Sequence, residues 1–385
     1  MQTISLIFYA FRDLVLPYLP VSKKQKISYR YGFLIHPRDD RDVLSRYPFL
    51  SFLPESLMQF FTLHFWPIIV TKVKGLRTAD NEPIEGYILA ISLTARQIIE
   101  HRERAVKKIK KSLYLAQRFG IKIVALGALT SSVTKGGLDL LDVKDVSITT
   151  GHAYTGYNVT QNLFKLMEIF DSKPERVKVA IVGAAGSIGS ISAQILARAG
   201  YTDLLLVDLE RKKHLIHELM KEIHTLNPTV SVRISHHIGD VKESDFIIAA
   251  TNAPEALIKS DDLKSGAVVI DDAQPSDVHK DVLMRGDVLA IEAGVVHTPG
   301  IKSMFSLGLK SQFDNFCCMA EVLILAAHKW SSHFVLNRAN LEHVDQIAEW
   351  GKELGFQVAG FQNRLEAISS EKLERVKKLH QKNQT

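Results

Sequence analysis

The chain has 385 residues, 46% of them hydrophobic and 23% charged, enough to bury two or three domain cores and too apolar for a disordered chain. Its formal net charge is +6 and its isoelectric point about 9.0, which points to an acidic partner such as anionic lipid, an acidic carrier protein or nucleic acid. The two cysteines, Cys317 and Cys318, are adjacent, which excludes a disulfide framework and suggests a reducing cytosol.

No zinc-ligand pair or RNA-recognition signature is present, so neither a metal site nor a nucleic-acid partner is expected. No stretch reaches the ~18 apolar residues of a membrane span. Residues 1–20 come nearest, with Leu6, Ile7, Phe8, Phe11, Leu14, Leu16 and Leu19, but Arg12 and Asp13 interrupt them. Lys23, Lys24 and Lys26 follow. This segment is expected to rest on the protein or on a membrane surface, and no basic region precedes it as in a signal peptide.

Residues 29–35 (YRYGFLI) read as a strand entering a turn at 36–39. Residues 45–67 are apolar and aromatic, broken by Pro54 and Pro67. Residues 68–74 and 84–91 read as two more strands. A helix is predicted over 95–119 from Ile98, Ala105, Ile109, Leu113 and Ala116, with Gly120 as its C-cap. Its basic run, Arg102, Arg104, Lys107, Lys108, Lys110 and Lys111, is either a docking face for an acidic carrier or a solvated face. Strand 121–126 (IKIVAL) follows, then the Thr-, Ser- and Gly-rich stretch 131–153, the composition of ligand loops. After a helix over 155–169, Asp171–Pro174 is the expected domain boundary.

Residues 177–182 (VKVAIV) form the apolar run of a buried parallel strand. Gly183, Ala184, Gly186, Ser187, Ile188 and Gly189 then make a glycine turn into a helix that Gly200 ends. Strand 204–207 closes the unit. Glycines between strand and helix let backbone amides approach a pyrophosphate, so a Rossmann dinucleotide unit is predicted. Asp208 stands where a carboxylate bonds the adenosine ribose, while Arg211, Lys212 and Lys213 could receive a 2′-phosphate. NADH and NADPH both stay open. Strands 246–250 and 267–271 continue the sheet, and their loops, with Thr251 and Ala253 in one and 272–275 in the other, border the nicotinamide. Helices are predicted over 312–329, with Ser311 as a conceivable cap, and 340–354.

Several segments resemble the aldehyde-forming long-chain acyl-[acyl-carrier-protein] reductases: 116–132 (AQRFGIKIVALGALTSS), 149–157 (TTGHAYTGY), 179–190 (VAIVGAAGSIGS), 316–329 (FCCMAEVLILAAHK) and 344–356 (VDQIAEWGKELGF). The first strand, ending in a histidine as YGFLIH, also matches. The resemblance implies NADPH-dependent reduction of a fatty acyl thioester, on acyl carrier protein or coenzyme A, to an aldehyde. It places the catalytic cysteine at Cys318, within Phe316–Glu321, and aligns Tyr157 with a family tyrosine. His152 and His297 are candidate bases, and Gly127–Ser132 and Thr149–His152 candidate oxyanion donors. The family has a small residue and arginine where this chain has Asp208 and Leu209.

The expected fold is α/β: a Rossmann dinucleotide-binding domain (174–300), an N-terminal α/β substrate domain (76–173), and C-terminal helices (301–385) that carry Cys318 and pack back. Residues 1–75 form a segment tied to a membrane surface or a substrate tunnel, with the apolar surplus of 45–70 supplying tunnel wall. The expected location is cytoplasmic, with or without peripheral membrane contact. The competing readings are a dehydrogenase of the shikimate or glutamyl-tRNA reductase type, and a nucleotide-binding protein without catalysis.

Overall fold

The structure, a computed structural model, describes residues 13, 15, 19, 27, 29–304 and 308–384. The expectation for residues 1–26 thus falls almost wholly outside the described residues. Within that segment, Asp13 is fully buried and accepts hydrogen bonds from the Arg46 guanidinium and the Tyr47 hydroxyl. No helix among the described residues is long and apolar enough to cross a membrane. The chain forms two compact units: one runs up to Gly151 and takes in Thr298–Asn337, and the other holds His152–His297 and the residues from Arg338 on.

The first unit contains β1 (Tyr29–Ile35), α1 (Glu55–His64), β2 (Ile68–Lys74), β3 (Ile84–Ala90), α2 (Arg102–Arg118), β4 (Ile123–Leu126) and β5 (Ser147–Thr149). Its strands lie in the order β2-β3-β1-β4-β5, all parallel except β2, which is antiparallel to β3. Ala105, Ile109, Leu113 and Ala116 of α2 pack on Leu34, Leu89 and Val124 of the sheet, the stripe read from the sequence. The single helix expected over 95–119 is two. Thr94 and Gln97 form a capping box for Ala95–Glu100, and His101 breaks the run at φ −124° while its carbonyl accepts from Ala105 N–H to start α2. The apolar surplus of 45–70, expected as tunnel wall, divides: Met58, Ile69 and Val70 are buried and Leu63 packs on the core, while Phe52, Leu57 and Phe60 are exposed.

The second unit opens with α3 (His152–Phe170), followed by β6 (Lys178–Val182), α4 (Ser187–Arg198), β7 (Asp203–Val207), α5 (Lys213–Leu226), β8 (Ser231–Ser235), β9 (Phe246–Ala249), β10 (Val268–Asp271) and β11 (Leu289–Glu292). These six strands form a parallel sheet ordered β8-β7-β6-β9-β10-β11. That order, 3-2-1-4-5-6, is the doubly wound dinucleotide topology, with its crevice where β6 and β9 part at their carboxyl ends. Val179, Ile181, Phe246 and Ile270 are buried, as strands covered on both faces must be. Val159, Leu163, Leu166 and Phe170 of α3 join this same core, so the boundary falls at Gly151 and not at Asp171–Pro174.

After β12 (Val295–His297) the chain returns to the first unit. There β13 (Lys302–Ser303) adds antiparallel to β2, and α6 (Cys317–Ala327) packs across β1 and β4. The segment 301–385 is therefore divided between the units. Its last helices, α7 (Leu341–Glu353) and α8 (Ser370–Asn383), pack on α3 of the second unit.

Candidate functional site

In the second unit, β6 gives way to the glycine turn. The amides of Gly183 and Ala184 both donate to Val207 O, at 2.9 and 3.2 Å. Gly186 is the N-cap of α4 and has no side chain to cap it, so the amides of the first turn, at Ser187, Ile188 and Gly189, form a nest for an anion. A Cβ at Gly189 would stand 2.3 Å from Gly183 O, and one at Gly183 2.5 Å from Ala250 O. The turn is thus drawn as tight as backbone allows, and the residues present fit a dinucleotide pyrophosphate. Ala184 and Ala185 contribute backbone alone, since their methyls are buried in the core. Arg338, which no sequence motif marked, donates from its guanidinium to Ala185 O at 3.2 Å and brings positive charge to this turn.

Asp208 follows β7, and its side chain is only 4% exposed. One oxygen accepts from Ala185 N–H (2.9 Å), the other from Leu209 N–H (2.8 Å), and Lys212 Nζ lies 3.2 Å away. The carboxylate therefore locks the glycine turn to the end of β7, and Lys212 balances its charge. Arg211 and Lys213 are exposed beside it. Lys212→Ala should leave Asp208 uncompensated and lower the affinity for NADPH relative to NADH by about tenfold, by repulsion of a 2′-phosphate. Fluorescence titration with both cofactors measures the ratio, and an unchanged ratio removes Lys212 from cofactor selection.

The loops after β9 and β10 are joined through Asp277, which is fully buried. Its carboxylate accepts from Thr251 N–H at 3.0 Å and from the Thr251 hydroxyl, whose oxygen in turn accepts from Ala253 N–H at 3.1 Å. Thr251 and Ala253 thereby hold one shape at the carboxyl edge of the sheet. Asp271, the last residue of β10, has its pKa pushed up to about 6 by burial. The native state holds this proton to higher pH than the unfolded chain. Stability should therefore fall as pH rises from about 4 to about 6, by up to about 3 kcal/mol. Urea unfolding across that window should show the fall in wild type and a flatter profile in Asp271→Asn.

In the first unit, α6 begins at Cys317, with Phe316 as an N-cap that has no capping side chain. The expected start near residue 312 is not found. Ser311 Oγ accepts instead from Phe313 N–H, and 314–316 is extended. Cys318 therefore lies in the first helical turn, at the positive end that favours an anion, and not near the second. Cys317 is 1% exposed and belongs to the core, whereas Cys318 is partly exposed.

Gly151, at φ +81°, lies directly against Cys318: a Cβ there would stand 2.4 Å from both its Cα and its Cβ. Glu321, one turn beyond Cys318 on the same helix face, is fully buried. It accepts from Gly151 N–H at 3.0 Å and from the Thr149 hydroxyl. The Thr149 oxygen accepts in turn from Val335 N–H at 3.2 Å. Glu321 thus clamps the end of β5 beside the cysteine, a role that its place at the end of the Phe316–Glu321 segment does not reveal. Glu321→Ala should strand the amide of Gly151 and the hydroxyl of Thr149 and cost about 2–4 kcal/mol in stability, read from urea unfolding. A loss under about 0.5 kcal/mol would show that water replaces the carboxylate.

The first strand's histidine also has a place. His36 Nδ1 donates to Pro37 O at 2.8 Å, which leaves Nε2 to accept from Leu129 N–H at 3.4 Å. Burial lowers its pKa and favours the neutral ring. Beside it, Ala128 holds φ +49°, a strained value for a residue with a side chain. The amides of Gly127, Leu129, Thr130 and Ser131 are all bonded within the chain, so the donors expected in 127–132 are largely committed. Cys318, Gly151, Thr149 and Glu321 come together in the first unit. His152 and Tyr157 start α3 in the second, where burial raises the Tyr157 pKa and keeps its hydroxyl protonated.

Residues 166–292 match the family model described as Shikimate / quinate 5-dehydrogenase. The chain is 26% identical over 311 residues to the aminotransferase PigE of a Serratia species, covering 79% of this chain and 36% of that protein, so it spans about a third of that relative. It is 26% identical over 348 residues to the long-chain acyl-[acyl-carrier-protein] reductase of Synechococcus elongatus, covering 85% of this chain and 97% of that one. The glutamyl-tRNA reductase of Corynebacterium glutamicum is 22% identical over 217 residues, covering 52% of this chain and 46% of that one. The family match spans the parallel sheet and its glycine turn, and the second unit is an oxidoreductase-type Rossmann unit for a nicotinamide dinucleotide.

Proposed function

We propose that the protein reduces a long-chain fatty acyl thioester, carried on acyl carrier protein or coenzyme A, to the fatty aldehyde. The observation that carries this reading is Cys318: a partly exposed sulfur in the first turn of α6, beside a core cysteine and against the clamped Gly151 turn. The similarity to the Synechococcus elongatus reductase over nearly its whole length supports it. The Cys318 thiolate attacks the thioester carbonyl carbon, a carbon–sulfur bond forms, and the carrier thiolate leaves and takes a proton. NADH or NADPH, held at the glycine turn before α4, would supply a hydride to the acyl carbonyl carbon. The carbon–sulfur bond to Cys318 then breaks, which releases the aldehyde and restores the Cys318 thiolate. The first-turn amides of α6 supply positive potential where the sulfur and the oxyanion carry charge. His152 is the base proposed for the thiol and Tyr157 a donor to the acyl oxygen.

Incubation with an acyl thioester and no reductant should leave a hydroxylamine-sensitive acyl group on the 316–329 peptide, read by mass spectrometry. The family match over 166–292 favours a second reading, a dehydrogenase that transfers hydride without a covalent intermediate. That enzyme would leave the peptide unmodified.

A further inference from the structure

The helix α1 turns large apolar side chains outward, alongside the exposed Glu55, Ser56, Gln59 and His64. Its inward side carries the buried Met58 and Thr62, Leu63 packs on the sheet core, and polar contacts fix the helix from beneath. Ser92 Oγ donates to Thr62 O at 2.6 Å, and Gln97 Nε2 donates to Gln59 O at 3.2 Å and to Thr62 Oγ1 at 3.0 Å. The buried Lys108 ammonium donates to Thr62 O and Phe65 O at the helix end. Its outward side, with the flanking turns, presents Phe52 (89% exposed), Phe60 (54%), Leu57 (40%) and Phe49, Phe61 and Trp66 (39% each). Six large apolar side chains fixed face-out within eighteen residues are not a core element waiting for cover; their orientation is enforced from beneath.

The charge beside this face is sorted in the same direction. Of the six basic residues in the 102–111 run of α2, Lys108 is buried, and Arg102 and Lys110 pair with Asp139 and Asp142. Arg104, Lys107 and Lys111, spaced i, i+3, i+7, are exposed and form no ion pair among the described residues. Arg104 Nη1 lies 3.4 Å from His64 Nε2 at the end of α1, so the basic stripe continues the aromatic face. The acidic groups nearby are Glu55, Glu103 and Glu100, the last paired with Arg96.

We infer that the outer face of α1, with this stripe, docks on an anionic lipid bilayer. Phenylalanine and tryptophan enter the boundary between headgroups and acyl chains, and lysine and arginine beside them meet anionic headgroups. The six side chains offer roughly 600 Å² of surface, less than the ~800 Å² per partner of a standard protein interface, and a bilayer sets no such threshold. The inference does not depend on the reaction proposed above, and vesicle binding is measured without turnover.

The test is sedimentation with phosphatidylglycerol-containing and pure phosphatidylcholine vesicles, with tryptophan emission followed in parallel. The full chain should co-sediment with the anionic vesicles, and its emission should shift to the blue in wild type but not in Trp66→Phe. The double variant Phe52→Ser/Phe60→Ser, altered only at exposed positions, should bind at least tenfold more weakly. The triple variant Arg104→Glu/Lys107→Glu/Lys111→Glu should lose its preference for anionic vesicles. Unchanged thermal melts check that both variants fold. Vesicle binding unaffected by either variant overturns the inference. So does a dimer in ultracentrifugation that the serine variant dissolves while vesicles stay unbound. Capture of acyl carrier protein by this face, without vesicle binding, overturns it as well.

Discussion

Gly189→Val should abolish binding of NADH and NADPH alike. The position lies in the first turn of α4, and the nearest atom to a new Cβ is the Gly183 carbonyl oxygen at 2.3 Å, followed by Gly183 C at 2.9 Å and Ala184 Cα at 3.0 Å. All three are backbone, and a contact under 3 Å with backbone has no flexible side chain to yield. The β6–α4 turn must therefore open, and opening it carries the amides of the α4 first turn away from the pyrophosphate they would bind. The expected loss is at least about a hundredfold in affinity for both cofactors, or roughly 3 kcal/mol, measured by titrating reduced cofactor fluorescence. Gly200→Ala is the matching control. Gly200 holds φ +89° but has nothing within 4 Å of a Cβ, so the change should cost about 1 kcal/mol in stability and leave affinity unchanged. Wild-type affinity in Gly189→Val would mean that the cofactor binds elsewhere.

That turn was legible in the sequence because every layer of its physics is local. The strand is a continuous apolar run, the glycines stand between strand and helix, and Gly200 ends the helix one residue after its C-cap at Ala199. The start of α6 was not legible, because it is decided at long range. The sequence predicts a helix from 312, with Ser311 as a conceivable cap, and nothing local marks a later start. In the structure Thr298 N–H donates to Phe313 O at 2.8 Å and Asn315 Nδ2 donates to Thr298 Oγ1 at 2.6 Å. These bonds hold the segment extended up to Phe316. The same limit hid the division between units, since a chain that leaves one core and returns to it after 146 residues (His152–His297) gives no periodic signal. The roles of Glu321 and Arg338 are not legible for a related reason: their partners, Gly151 and Ala185, are far away in sequence. The apolar stretch before β2 leaves two places open in the sequence, a membrane surface or a tunnel wall, because composition alone does not say which way a side chain faces. Only Ser92, Gln97 and Lys108, packed beneath α1, reveal that it faces out.

Cys318→Ser should remove aldehyde formation and leave cofactor affinity intact. The substitution removes none of the bonds that shape the glycine turn and hold Asp208, the groups that would bind the dinucleotide. Serine keeps the shape, so the Gly151 contact and the Glu321 clamp survive. It is nonetheless a far weaker nucleophile unless a strong base removes its proton. The helix end that favours a thiolate does little for an alcohol, whose proton is held far more tightly. Loss of at least a thousandfold in turnover is expected, about 4 kcal/mol of transition-state stabilisation. Cys317→Ser separates chemistry from packing. That sulfur is 1% exposed, so a hydroxyl there should cost about 1–2 kcal/mol in stability and leave turnover within about threefold. Mass spectrometry of each variant after incubation with acyl thioester completes the comparison: the adduct should persist in Cys317→Ser and be absent from Cys318→Ser. If Cys318→Ser instead makes aldehyde at near wild-type rate with no adduct on the 316–329 peptide, hydride passes directly to the bound thioester, and Cys318 only lines the site.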